Sequence, residues 1–290
     1  MNWFVEYKKS LKNINAEEVL DIYLFRPFAF IIVKLFYSLP LTPNHYSFAS
    51  FVSGMTAAYF FYTGQLQWGA FFFFMFAVLD CCDGMQARMK KNGTEFGRFI
   101  DGLVDYTCNF ACYIALAFGL DQMYPNIYFL PTFWLVILAG LGKAIHSFLY
   151  DHYLMEYMAH EKGEVGFVDN ELTNIKEKID SLKNDPKATL IRKMILWAYY
   201  GYSSLQAGKK SQIKKYDSHL YVQYNLKLIQ FWGLIGPAWH VLILIVALFL
   251  NFPAMLFSYA IVTSNLWMIF MIIYQQNIFK KLEKLSQATS

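Results

Sequence analysis

The chain has 290 residues, 57% of them apolar types and only 16% charged. A soluble domain usually carries about 25% charge, so this composition excludes an ordinary water-soluble enzyme and points to burial in lipid. The formal net charge of +4 says little by itself, and no nucleic-acid partner is expected.

The first residues, MNWFVEYKKSLKN, hold no apolar run behind a basic stretch, so a cleaved signal peptide is not expected. Next comes Glu17–Ser38, which runs into a short apolar stretch, Phe28–Leu41, interrupted by Lys34 and ended by Pro40 and Pro43. It is expected to lie as a helix in the membrane interface, with Arg26 and Lys34 reaching the headgroups. A re-entrant segment is the alternative. Residues 1–43 would then form a cytoplasmic N-terminal region.

Six apolar runs approach the roughly 20 residues that cross about 30 Å of hydrocarbon as a helix. They are Asn44–Tyr62, Trp68–Ala87, Arg98–Leu120, Tyr128–Tyr150, Leu226–Leu250 and Ala254–Tyr274. The expected fold is therefore all-α, a polytopic membrane protein with six transmembrane helices over residues 44–276. The connections GQLQW, DQMYPNI and NFP carry no Lys or Arg, and every basic residue but Lys143 lies on the other side. The positive-inside rule then places both termini, including the tail 277–290, in the cytoplasm or on the cytoplasmic face of an organelle.

The polar stretch 156–224 interrupts this pattern as a cytoplasmic insert. Ile175, Ile179 and Leu182 fall at helical spacing, and Pro186 separates them from an aromatic, basic-flanked run at Ala188–Tyr202. A helical hairpin on the membrane surface is expected, with a partner-binding insert as the alternative. Cys81, Cys82, Cys108 and Cys112 lie in or beside apolar runs. They match neither a disulfide framework nor a zinc site and read as buried, inert thiols.

The cytoplasmic end of the second span and the start of the third read LDCCDGMQARMKKNGTEFGRFIDGLVDY. A carboxylate at the centre of a membrane helix costs about 2.5–3.5 kcal/mol on insertion scales, and several together repel. At 100° per residue Asp80, Asp83, Gly84, Ala87 and Arg88 share one face of the second span. Gly97, Asp101 and Asp105 share one face of the third, and a short polar turn at Asn92–Gly93 makes the two helices antiparallel neighbours. Their acidic faces can meet as an oxygen-only site, which suits hard cations such as Mg²⁺ or Mn²⁺. Gly84, Ala87 and Gly97 leave room for a ligand, and Arg88 offers a planar fork suited to phosphate. Packing glycines and an isolated interfacial Asp are the ordinary explanations for such residues. They do not account for four aligned carboxylates.

The pattern D-x2-D-G-x2-A-R-x8-G-x3-D-x3-D resembles the signature of the CDP-alcohol phosphotransferase (CDP-alcohol phosphatidyltransferase) family. It is met at Asp80, Asp83, Gly84, Ala87, Arg88, Gly97, Asp101 and Asp105. The entry Leu41-Thr42-Pro43-Asn44 is similar to that family too, as is the six-span layout, whereas the insert is longer than in the smallest members. The resemblance implies two divalent cations, Mg²⁺ or Mn²⁺, held by Asp80, Asp83, Asp101 and Asp105. It implies pyrophosphate binding at Gly84, Ala87, Arg88 and Gly97, with Asp105 as general base. It implies metal-dependent transfer of a phosphatidyl group from CDP-diacylglycerol to a polar alcohol with release of CMP, an integral membrane enzyme working at the cytoplasmic side, and a homodimer. The alternative within the family is transfer of a headgroup from a CDP-alcohol to a lipid acceptor such as diacylglycerol. A cation transporter would place its carboxylates near the midplane, which this pattern does not.

The acceptor is less legible. Lys143 is the only basic residue away from the ends of a span, with His146 three residues on. It is expected either to bind an anionic acceptor, such as an inositol or glycerol phosphate, or to snorkel or pair with a motif Asp. Asp151 and His152 read as interfacial, and His240 as a lone packed histidine. Phe71–Phe74 could line a lipid entry route or simply face lipid.

Overall fold

The computed structural model describes residues 3–11, 17–125, 130–163, 200–201 and 216–289, and all regular structure among them is helical. Among these residues the α-helices are, in order, α1 Trp3–Ser10, α2 Arg26–Leu35, α3 Pro43–Tyr62, α4 Leu66–Lys90, α5 Glu95–Met123, α6 Thr132–Lys162, α7 Ser218–Trp232, α8 Pro237–Phe249, α9 Pro253–Phe257 and α10 Ser264–Thr289. Short π-helical turns at Asp21–Phe25 and Ser258–Thr263 and a 3₁₀ turn at Gly233–Ile235 join some of them. The expected hairpin at residues 171–202 lies almost entirely outside the described residues.

Among the described residues, five stretches are long and apolar enough to cross a membrane: Leu66–Lys90, Gly97–Met123, Thr132–Lys162, Ser218–Phe249 and Pro253–Ser286. Each overlaps one of the expected second to sixth spans. The first expected span forms the helix α3, but it is not among the five. Its serines contribute, together with Pro43, Asn44 and His45 at its start. Ser47, Ser50 and Ser53 recur every three residues and are buried against α4. There Ser50 donates to the Phe76 carbonyl at 3.4 Å and Ser53 to the Phe72 carbonyl at 2.9 Å. Polar side chains spent on a helix neighbour lower the apolar content without meeting lipid.

The chain divides into two compact units, Met1–Asp151 with Lys227–Gln276, and His152–Leu226 with Asn277–Ser290. The first holds the acidic motif. Its α3 enters after Thr42, whose N–H is accepted by His45 Nδ1 at 3.1 Å, and Pro43 takes the first helical position. Glycines let α3 and α5 approach closely. A Cβ at Gly119 would stand 1.9 Å from the Phe61 carbonyl oxygen, and one at Gly54 would stand 2.7 Å from Cys108 Sγ. The thiols of Cys108 and Cys112 point at α3 carbonyls, those of Phe51 and Gly54. Cys82, Cys108 and Cys112 are buried and all four cysteines are free, as packed small hydrophobes would be.

The fifth expected span is broken, which the sequence reading did not anticipate. α7 ends in the 3₁₀ turn, and α8 restarts after Gly236. The carboxylate of Glu18 fills the break. It accepts the Ala238 N–H at 3.2 Å and so satisfies an orphan donor at the α8 N-terminus. A Cβ at Gly236 would meet Glu18 Cδ at 2.6 Å, so only glycine admits the carboxylate here. Arg26 also departs from expectation. It turns inward onto Glu17 at 2.9 Å, where the two side chains are 14% and 7% exposed, and does not reach outward to headgroups. Lys34 pairs with Glu6 at 2.5 Å.

In the second unit the described residues form an aromatic stack. The His160 ring lies on Tyr221 at 3.7 Å, and Tyr216 stacks on both Tyr221 and Phe279.

Two outcomes follow. Gly119→Ala should destabilise the fold by about 1–3 kcal/mol or more through overpacking, whereas Gly102→Ala, with nothing within 4 Å of the new Cβ, should be silent in thermal unfolding in detergent. Burial, helped by Asp21, raises the Glu18 pKa well above the ordinary carboxylate range. The folded state thus keeps a proton that the unfolded chain loses near pH 4–5 (about 4.3 for a free Glu). Stability is full below that pH and falls as pH rises toward the raised value. Glu18→Gln has no proton to lose, so its melting temperature should fall less between about pH 4 and neutrality.

Candidate active site

Two helix ends and the turn between them set the site. α4 stops at Lys91, which takes the left-handed conformation at φ 52°. Thr94 then caps α5 by accepting the Gly97 N–H at 2.9 Å. Gly93 folds against Ala87, whose Cβ would lie 3.0 Å from a Gly93 side chain. The end of α4 is tied to the chain before α3 by Gln86 Nε2, which donates to the Leu41 carbonyl at 2.7 Å, and by Lys90 Nζ, which donates to Leu39 at 2.8 Å. The short turn expected around Asn92–Gly93 is present between α4 and α5, and both helices pack against α3.

The acidic faces do meet. Asp83 of α4 is buried, and its carboxyl group faces that of Asp101 of α5. Two carboxyl groups approach this way only with a proton or a cation between them. Asp83 also accepts Ser47 Oγ of α3 at 2.8 Å. Asp80 Oδ1 and Asp101 Oδ1 are buried with no hydrogen-bond partner. Unmatched buried oxygens of this kind are costly. Among the described residues, no three His, Cys, Asp or Glu side chains are already gathered around one point as a ligand set. The structure brings Asp83 and Asp101 together, and it leaves Asp80 and Asp105 on the same two helices without closing all four into one shell.

Asp105 has its own partner. Asn109, one turn on, donates through Nδ2 to Asp105 Oδ1 at 2.8 Å. The Asn109 carbonyl oxygen in turn accepts Lys143 Nζ of α6. Lys143 is 9% exposed and lies over the rings of Phe73 and Tyr113 at 5.9 and 5.7 Å. It therefore neither snorkels nor bonds directly to a motif aspartate; an amide stands between the cation and Asp105. His146, on the same helix, faces His240 of α8, with Nδ1 and Nε2 3.1 Å apart and the rings stacked. His240 is thus not the lone histidine that the sequence suggests. Phe73 is buried in the core while Phe71 is exposed, so the Phe71–Phe74 run does not share one surface.

Arg88 folds back over Gly84, where a Cβ would meet its Nη1 at 3.2 Å. Its Nε donates to the Ser10 carbonyl of α1 at 2.5 Å, and Nη2 is buried without a partner. At Gly97 a Cβ would approach Thr94 Oγ1 at 3.0 Å and Asn44 Oδ1 at 3.2 Å. Gly97 thus lets the α5 start, the Thr94 cap and the α3 entry crowd together.

Sequence reasoning missed Ser47 and Asn109. Ser47 carried a signal, being the first of the serines that repeat every three residues along α3. Asn109 carried one as well, as it continues the Gly97, Asp101, Asp105 spacing by four.

The family model described as CDP-alcohol phosphatidyltransferase matches residues 40–183. That stretch contains the whole acidic motif, and over it the chain carries a CDP-alcohol phosphatidyltransferase domain. Among curated proteins it is similar to the phosphatidylinositol phosphate synthase of Corynebacterium glutamicum, with 34% identity over 32% of this chain and 43% of that protein. It is also similar to the phosphatidylinositol phosphate synthase of Mycobacteroides abscessus, with 36% identity over 25% of this chain and 34% of that protein. The chain thus spans less than half the length of these relatives.

Ser47→Ala should leave the fold intact and remove one donor from Asp83. A loss of about 1 kcal/mol of site organisation predicts turnover lowered by about five- to tenfold, with an unchanged melting temperature as the control.

Proposed function

We propose that this chain transfers a phosphatidyl group from CDP-diacylglycerol to the hydroxyl of a polar alcohol and releases CMP. The observation that carries the reading is the meeting of Asp83 and Asp101 beside the unmatched buried oxygens of Asp80 and Asp101. The CDP-alcohol phosphatidyltransferase domain supplies the reaction class, and five apolar helices supply the membrane setting. We also carry forward α3 as a sixth span, the segment around α2 as lying in the interface, the motif at the cytoplasmic side, and a homodimer.

The donor set fits divalent cations. Asp80, Asp83, Asp101 and Asp105 offer oxygen only, and two of their oxygens are buried and unmatched. These four would hold two Mg²⁺ or Mn²⁺ ions, which when bound neutralise charge on the pyrophosphate and on the departing CMP. Arg88, with Gly84, Ala87 and Gly97, would receive the pyrophosphate, and the unpartnered Nη2 of Arg88 is the donor left for it. The acceptor oxygen attacks the β-phosphorus and the bond from that phosphorus to the CMP oxygen breaks. The acceptor proton passes to Asp105, whose Oδ1 is fixed by Asn109, leaving Oδ2 to take it. Lys143, buried one amide away from Asp105, favours an anionic acceptor, and the names of the similar synthases agree with a phosphorylated polyol.

The deciding assay measures CMP release from CDP-diacylglycerol with Mg²⁺ or Mn²⁺ across serine, inositol, inositol phosphate, glycerol phosphate and no acceptor. Metal-dependent release with one acceptor is expected. Silence with all of them, together with turnover of a CDP-amino alcohol and diacylglycerol, would move the chain to headgroup transfer. Asp105→Asn should lower kcat by about 10²–10⁴-fold, the usual worth of a general base, while CDP-diacylglycerol still binds; retained turnover sinks the base assignment. Lys143→Ala should raise KM for a phosphorylated acceptor far more than KM for CDP-diacylglycerol.

A further inference from the structure

The N-terminal helix α1 lies outside the stretch matched by the family, yet it reaches the acidic motif. Its last residue, Ser10, is 1% exposed, and the Ser10 carbonyl oxygen takes the Nε–H of Arg88 at 2.5 Å. Arginine offers five N–H donors in a rigid fork. Here the stem-side donor is held by α1, Nη1 lies over Gly84, and Nη2 is buried with no partner. A guanidinium held at Nε is restrained in the rotation of its plane, so where α1 ends biases the direction of its terminal donors.

α1 is itself held firmly, and by groups with no other evident task. Tyr7 is 6% exposed, and its hydroxyl donates to the Ile22 carbonyl in the segment before α2. The rings of Trp3 and Tyr7 stack on each other at 5.7 Å, and both meet Phe30 of α2 edge-on, at 5.2 and 5.5 Å. Glu6 pairs with Lys34 of α2 at 2.5 Å. Ser10 Oγ donates back to the Tyr7 carbonyl at 2.6 Å, which closes the last turn and aims its own carbonyl away from the helix start. Aromatic edge contacts of this kind are worth about 0.5–1.5 kcal/mol each beyond burial, enough to keep a short helix docked that would not persist alone.

We propose that α1 is a positioning strap for Arg88: its terminal carbonyl orients the guanidinium so that Nη2 faces a phosphate of the CDP-linked lipid. The proposal rests on the reading of Arg88 as a pyrophosphate ligand. Ser10 touches no substrate and acts through Arg88 alone.

The test is a double-mutant cycle on the full-length protein in lipid nanodiscs. Tyr7→Ala undocks α1, Arg88→Ala removes the group it is said to orient, and the two are combined. Equilibrium binding of CDP-diacylglycerol without acceptor is measured beside kcat and both KM values. Tyr7→Ala is expected to weaken CDP-diacylglycerol binding and raise its KM by about tenfold, the factor that corresponds to one well-oriented charged hydrogen bond. The acceptor KM and kcat should stay within about twofold. In the Arg88→Ala background Tyr7→Ala should add nothing. Trp3→Ala, which thins the ring stack and spares the Tyr7 hydrogen bond, should give the same direction at smaller size if Tyr7→Ala does not fold. Additive effects in the double variant would overturn the strap, as would an equal fall in kcat for every substrate or unchanged binding. Unchanged binding in Arg88→Ala alone would instead overturn the pyrophosphate reading, so the two failures are distinct.

Discussion

A carboxylate buried among membrane-spanning helices must be matched by a donor, a proton or a cation, because lipid supplies none. Much of the first unit is arranged around that requirement. Asp83 is matched by Ser47 and by Asp101, and Asp105 by Asn109 with Lys143 behind it. Glu18 is matched by a helix N-terminus and Glu17 by Arg26. Asp80 and Asp101 each keep one oxygen unmatched. The contrast matters more than the count of acids. Where a carboxylate serves the fold its partners are present, and where oxygens stand open they fall on the two helices that carry the family motif.

Lys143 illustrates how much a single intervening side chain changes. Direct contact with Asp105 would give an ion pair that ties down both oxygens' charge. With Asn109 between them, the amide donates to Asp105 and accepts from Lys143 at once. Asp105 keeps a fixed orientation through one oxygen. The cation keeps donors for a second anion. Both contacts need a group that can donate and accept at once, as the Asn109 amide does.

The helical class, the spans from the second onward and the motif faces were legible in the sequence because each is a periodic signal: runs of near 20 apolar residues, and acids three or four apart. The partners of those acids were less so. Ser47 and Lys143 come from helices distant in sequence, and only packing says which serine or lysine arrives. The break in the fifth span was hidden because Gly233 and Gly236 sit in an apolar run that hydropathy reads as continuous, while the residue that stabilises the break, Glu18, lies at the far end of the chain. Arg26 misled for the same reason. In an apolar amphipathic segment a charged residue reads as surface-directed, but a buried acid nearby outweighed the headgroups.

Close helix approach is what lets these partners reach. Gly119 and Gly54 bring α3 against α5, and Gly140 admits Tyr113, which would lie 2.9 Å from a Cβ there. Serine is a short side chain, and Ser47 reaches Asp83 only because α3 stands so near. The same holds for Lys143, whose Nζ finds Asn109 across the α5–α6 contact beside the Tyr113 ring. Glycines of membrane helices are commonly explained by packing alone. In this bundle packing and chemistry are one constraint: the small residues set the spacing of the helices, and that spacing decides which polar side chains can answer the carboxylates of the motif.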